Sequence, residues 1–222
     1  MADYTLILGT KNWSSWSLRP WLALSATGHP FDEVVIPLNR PQTRSEILKY
    51  SPSAKVPALR IDDGGRSTIV FDSLAICETL AERHPEARLW PSDPEARALA
   101  RSISAVMHSG FPELRATLSM DFARKLPTPA LSDVVKSQIS DIIGYWKIAL
   151  DGYGRGGFLF GEFSIADCMY APVVSRFSTY GVDVPERSKA YMEKIWALPA
   201  MQTWLKASQK EIAGGLSTYP RP

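Results

Sequence analysis

Through the first 84 residues the apolar positions change period every few residues. Residues 4–8 alternate as a strand, 17–25 carry a helical stripe closed by Gly28 and Pro30, 31–36 alternate again, and 45–50 form a short helix stopped by Pro52. Residues 58–61 and 68–71 then flank Asp62-Asp63-Gly64-Gly65, a hairpin signal, and 73–84 return to helical period. The order β-α-β-α-β-β-α predicts a small α/β sheet whose first strands are joined through helices and whose last two form a hairpin.

The pattern changes at residues 85–94, where Pro85, Pro91 and Pro94 bracket Leu89-Trp90 as a linker. Beyond it every periodic segment is helical: 95–107 and onward, 131–150, 164–180, 186–198 and 201–211. The expected organisation is therefore an α/β domain over 1–84, a linker over 85–94 and an all-helical domain over 95–222. The glycines at 152, 154, 156 and 157 follow a helix and lack a preceding strand, so they predict a flexible inter-helix loop and not a phosphate cradle.

Composition narrows the function classes. The chain has 222 residues, 45% of them hydrophobic, and 25 Lys and Arg against 23 Asp and Glu leave a net charge of +2. Basic residues never run longer than a pair, which gives no footprint for nucleic acid or a membrane surface. The first residues lack a basic segment followed by a long apolar one, which predicts a cytoplasmic protein. Cys77 and Cys168 are far apart and outside any C-x-x-C spacing, so neither a disulfide framework nor a metal site is expected.

Three short stretches carry candidate chemistry. The turn Gly9-Thr10-Lys11-Asn12-Trp13-Ser14-Ser15-Trp16-Ser17 is dense in hydroxyls where a strand meets a helix N-terminus, a position that caps the helix and offers N–H groups to an anion. Asp72-Ser73 sits at a second strand-to-helix turn, where one residue caps and the pair suits a ligand bearing both an ammonium and a carboxylate. Lys55-Val56-Pro57 starts a strand with a residue that cannot donate to a ladder. A cis bond there would turn the main chain of Val56 towards an extended peptide.

These landmarks, in this order, resemble the cytosolic glutathione transferases. Ser164-Ile165-Ala166-Asp167 is similar to that family's S/T-[I/V]-A-D signature, a capping box with Ser164 as N-cap, and Trp13-Ser14-Ser15-Trp16-Ser17-Leu18-Arg19 is similar to the S-S-C-x-x-R stretch of its zeta class. The resemblance covers nearly the whole chain. It implies a thioredoxin-like first domain, a helical second domain, glutathione as co-substrate and a homodimer.

Residue by residue, the resemblance implies that Val56 pairs with the glutathione main chain, with Pro57 shaping the turn. Asp72 and Ser73 hold the γ-glutamyl end, Lys55 reaches the glycyl carboxylate, and Ser14, or its neighbours Ser15 and Ser17, donates to the thiolate. A thiol titrates near ~8.5, and each unit of lowering needs roughly 1.4 kcal/mol, within reach of one charge-assisted hydrogen bond. Trp13, Trp16, Met107 and His108 are expected to line the co-substrate pocket.

Two departures accompany the match: Trp16 stands where the zeta class has cysteine, and Thr179 where it has arginine, with Arg176 a turn earlier. The activity expected is conjugation of glutathione to small apolar electrophiles. A zeta-type isomerase or dehalogenase and a non-enzymatic binding module are the alternatives.

Overall fold

The computed structural model describes residues 3–218. β1 (Asp3–Gly9) is paired on both sides. β2 (Asp32–Ile36) runs parallel to it, β3 (Ala58–Asp63) antiparallel, and β4 (Arg66–Phe71) pairs with β3, giving the order β2-β1-β3-β4. The two-residue period of β1 sends Tyr4, Leu6 and Leu8 to one face with Leu59 and Ile61, and Ile7 to the other with Ile36 and Ala58. Leu18 and Leu22 of α1 (Ser15–Ala26) and Ile76 and Leu80 of α3 (Ser73–Arg83) cover the first face; Ile47 of α2 (Thr43–Leu48) covers the second.

Gly64 and Gly65 form the β3–β4 turn at φ 55° and 80°, the pair of left-handed conformations that a two-residue hairpin favours. Gly9 has a different reason to be glycine. A Cβ there would lie 2.8 Å from Leu38 Cδ1, so a side chain would push away the loop after β2.

The remaining helices among the described residues are α4 (Pro94–Ser109), α5 (Pro112–Thr117), α6 (Asp133–Tyr153), α7 (Ile165–Tyr180), α8 (Glu186–Trp196) and α9 (Pro199–Ala213), and a 3₁₀ turn over Pro85–Ala87 lies between α3 and α4. Every residue of α7 except Ser178 is buried, and the helix packs against α1 and α4, so it spans the joint between the sheet and the helices. Its capping box is formed: the Ser164 N–H and hydroxyl both donate to Asp167 Oδ2, at 2.9 and 3.0 Å.

Some boundaries differ from expectation, each for a local reason. α1 begins at Ser15, two residues early, because Ser14 and not Ser17 takes the cap. α4 does not simply run on. Phe111, left-handed at φ 61°, separates it from the unanticipated helix α5. α6 continues to Tyr153, so the glycine-rich loop is shorter than residues 152–157. Cys77 and Cys168 are both free and buried. Among the described residues no helix is long and apolar enough to cross a membrane.

Candidate active site

The N-termini of α1 and α3 lie at one edge of the sheet, and beside them opens a cavity of about 640 Å³. One wall is Ser53, Ala54, Lys55, Val56 and Pro57; another is Phe71, Asp72 and Ser73; Leu38, Ile47, Trp16 and His108 complete it. The Val56–Pro57 bond is cis. Val56 lies outside the strands, and its N–H and C=O make no hydrogen bond among the described residues, so both are available to an extended main chain.

The opposite wall is built by a strained cap. Asp72 holds φ 82° and ψ 133°, a conformation that costs a non-glycine residue about 1–3 kcal/mol. In it, Oδ1 accepts from Leu74 N–H at 2.9 Å and from Ala75 N–H at 3.3 Å, while Oδ2 lies 3.1 Å from His108 Nε2. Burial pushes the His108 pKa down, against the pull of Asp72. Next to this cap the buried Ser73 hydroxyl has no hydrogen-bond partner among the described residues. An unpaired buried hydroxyl costs about 1–3 kcal/mol, which a ligand oxygen would recover.

Beneath the cavity floor the electrostatics turn cationic. The Trp16 ring carries the Arg19 guanidinium at 4.3 Å and the Arg115 guanidinium at 5.0 Å, with the His108 ring edge-on at 5.2 Å. Arg19 is fully buried, its Nε and Nη1 have no hydrogen-bond partner among the described residues, and burial together with Arg115 pushes its pKa down to about 9.

The structure therefore brings together Lys55, Val56, Pro57, Asp72, Ser73, Trp16 and His108 around one cavity. Two expected pocket residues are elsewhere. Met107 is wholly buried in the core because it points from α4 away from its neighbour His108, and Trp13 is buried in the turn before α1. Ser14 and Ser15 are also buried and do not line the cavity.

The two serines differ in their bonding. Ser14 Oγ accepts from Ser17 N–H at 3.3 Å and donates to Ser17 Oγ at 2.7 Å, while Ser17 Oγ accepts from Gly9 N–H. Ser15 Oγ accepts from Arg176 Nη2 at 3.2 Å and has no acceptor for its own proton among the described residues. Arg176 also donates to the carbonyls of Arg115 and Leu118, so it braces α5 against α1. Sequence reading overlooked Leu38, Ile47, Ser53, Ala54 and Phe71, as well as Arg19 and Arg115. Arg19 lay inside the S-S-x-x-x-R stretch already singled out.

The chain belongs to the glutathione S-transferase family: residues 13–83 match the glutathione S-transferase N-terminal domain and residues 133–207 its C-terminal domain. Maleylacetoacetate isomerase of Mus musculus is 31% identical, over 92% of this chain and 93% of its own length. Among solved structures, glutathione transferase Omega 2S from Trametes versicolor superposes with a TM-score of 0.73 at 22% identity, over 97% of this chain and 98% of that one. Maleylacetoacetate isomerase from Anaeromyxobacter dehalogenans, solved with glutathione in its active site, gives 0.65 at 22% identity, over 91% and 94%. These names bring forward isomerisation, the first alternative above, ahead of general conjugation.

Proposed function

We infer that this protein is a glutathione-dependent isomerase of the zeta type, acting on a small, anionic, cis-unsaturated acid. The observation that carries the reading is the two-sided cavity, with unpaired main-chain groups of Val56 on one wall and the unpartnered Ser73 hydroxyl beside the Asp72 cap on the other. That chemistry fits glutathione: Val56 pairs with its main chain, Ser73 and the α3 N-terminus hold its γ-glutamyl carboxylate, Asp72 its ammonium, and Lys55 its glycyl carboxylate. Glutathione, when bound, supplies a thiolate able to add to, and leave, a conjugated carbon–carbon double bond.

The chain's own part is to keep the sulfur ionised and the co-substrate oriented. Ser15 retains a donatable proton and receives a charged hydrogen bond from Arg176, which polarises its O–H and makes it the better donor. The proton of Ser14 is directed to Ser17, so we assign the helix cap to Ser14 and, although neither serine lines the cavity, the thiolate contact to Ser15, next in the chain to cavity-lining Trp16. Arg115, half-buried over Trp16, supplies positive charge for a co-substrate carboxylate. Conjugation to apolar electrophiles is the second reading, favoured by Trp16, Leu38 and Phe71 on the cavity walls.

The test compares Ser14→Ala and Ser15→Ala. The thiolate absorbance of bound glutathione at neutral pH should fall about tenfold or more in Ser15→Ala and persist in Ser14→Ala, which loses only about 1 kcal/mol of cap stability. Unchanged thiolate in Ser15→Ala removes the assignment. Turnover of maleylacetoacetate exceeding that of a neutral aryl halide supports isomerisation, and the reverse order supports conjugation.

A further inference from the structure

At the opposite end of the α1–α3 pair, two of the chain's three histidines meet one carboxylate. We propose that His29, His84 and Glu86 form a binding site for a single divalent transition-metal ion of the zinc class, distinct from the cavity. The ligand atoms, one from each residue, lie within 4.8 Å of one another. Glu86 Oε1 is 3.3 Å from His84 Nδ1 and 4.0 Å from His29 Nε2. Ligands at about 2.0–2.1 Å around a tetrahedral zinc stand roughly 3.4 Å apart, so small side-chain rotations close the triad on an ion.

The local fold explains the convergence. His84 is the C-cap of α3, its N–H bonded to Leu80 O, and the 3₁₀ turn that follows brings Glu86 back towards it. His29 follows Gly28, whose φ of 73° ends the chain's exit from α1. Both helices therefore end at this spot, and the partial negative charge of their C-termini favours a cation there. The His84 and His29 ring centroids lie 4.2 Å apart with their planes tilted by 41°, so both imidazoles are held at one place for a shared ion.

A built outer layer is present. His84 Nε2 is 2.8 Å from Tyr4 Oη, which also accepts from Arg83 Nε at 3.2 Å. His84 Nδ1 is within hydrogen-bond reach of Glu86 Oε1 at 3.3 Å; with an ion bound, His84 would ligate through Nδ1 and donate its Nε2 proton to Tyr4, the arrangement that orients a ligating histidine. Side-chain exposure rises from 7% at His84 through 27% at His29 to 64% at Glu86, so the triad is anchored on one side and open to solvent on the other. Water would complete a four-coordinate ion there, and the ion would tie the end of α1 to the start of the linker.

Calorimetric titration of the EDTA-dialysed full chain with zinc chloride at pH 7.5 tests this. One site per chain is expected, with affinity lowered about 100-fold in His29→Ala and about tenfold in Tyr4→Phe. Zinc at roughly 100 times its Kd should raise the wild-type Tm by about 5–10 °C, a shift absent from His29→Ala. Cobalt substituted for zinc should give the visible absorption of a tetrahedral ion, lost in Glu86→Gln. His29 and Glu86 lie at half-exposed and exposed positions, and an unchanged circular dichroism spectrum shows that their variants and Tyr4→Phe fold. Absence of saturable zinc binding, equal affinity in His29→Ala and Glu86→Gln, or binding abolished instead by His108→Ala overturns the proposal.

Discussion

The two turns that begin α1 and α3 sit side by side and share a chemistry of hydroxyls and caps, yet they serve opposite ends. The first is closed except at Ser15, whose hydroxyl proton has no acceptor among the described residues. Lys11 and Asn12 donate their N–H groups to the two oxygens of Glu211 on α9, and Trp204 Nε1 donates to the Lys11 carbonyl. Asn12 Nδ2 donates to Asp121, Asn12 Oδ1 accepts from Ala123 N–H, and Ser15 takes Arg176. The second turn is open: Asp72 is exposed, and the Ser73 hydroxyl is left unpaired beside the cavity. A hydroxyl-rich turn is thus not a ligand cradle by composition. What distinguishes the cradle is that its polar groups are left unsatisfied by the rest of the chain.

The largest test of that difference is Glu211→Ala. It leaves two buried backbone N–H groups without acceptors and should lower unfolding free energy by about 2–4 kcal/mol in urea titration. Burial raises the Glu211 pKa above 4.5, so the folded state holds its proton more tightly than the unfolded chain. Its contribution is full below pH 4.5 and declines as pH rises through the folded value. That decline should vanish in the variant. An Ala substitution at Glu211 that leaves stability intact would mean that the first turn is not braced in this way.

Ser73→Ala should do the reverse. Calorimetry should record about tenfold weaker glutathione binding, the worth of one hydrogen bond to a charged group, with stability unchanged or slightly raised because an unpaired buried hydroxyl is gone. Equal affinity in the variant would deny the second turn its role.

The smallest effect is a pH dependence at the open turn. Burial lowers the His108 pKa below 6.5, which favours the uncharged ring at neutral pH and leaves the Asp72 charge uncompensated for a ligand ammonium. Neutral His108 adds to stability above pH 6.5, and that contribution is lost as pH falls through its folded value. Acidification also charges the ring against Asp72, and glutathione affinity should weaken by up to about fivefold. His108→Ala should remove this loss.

How far the chain declared itself follows from the range of each interaction. The hairpin at Gly64-Gly65, the Asp72 cap and the Ser164–Asp167 box depend on residues two or three apart, and all were legible. The order of elements followed from periodicity, and the cavity-lining part of residues 55–57 from the unusual start of a strand. The brace on the first turn joins residues about 200 apart, and no local pattern announces that Glu211 meets Lys11 and Asn12. Met107 is a different case: it extends the buried stripe Ala96, Ala100 and Ile103 of α4, so its place in the core was a local signal that the pocket expectation passed over. Ser14 and Ser15 were indistinguishable in sequence because only the partner across the joint, Arg176, separates them.

Cys77 and Cys168 bear on the same chemistry from another side. Both thiols are sealed in the core, and burial pushes both pKa values up, which leaves almost none of either as thiolate. The co-substrate proposed above is an electrophilic carbon compound, and this packing keeps the protein's own sulfur out of its reach. Where the two cysteines lie is thus a safeguard against self-alkylation in the proposed reaction.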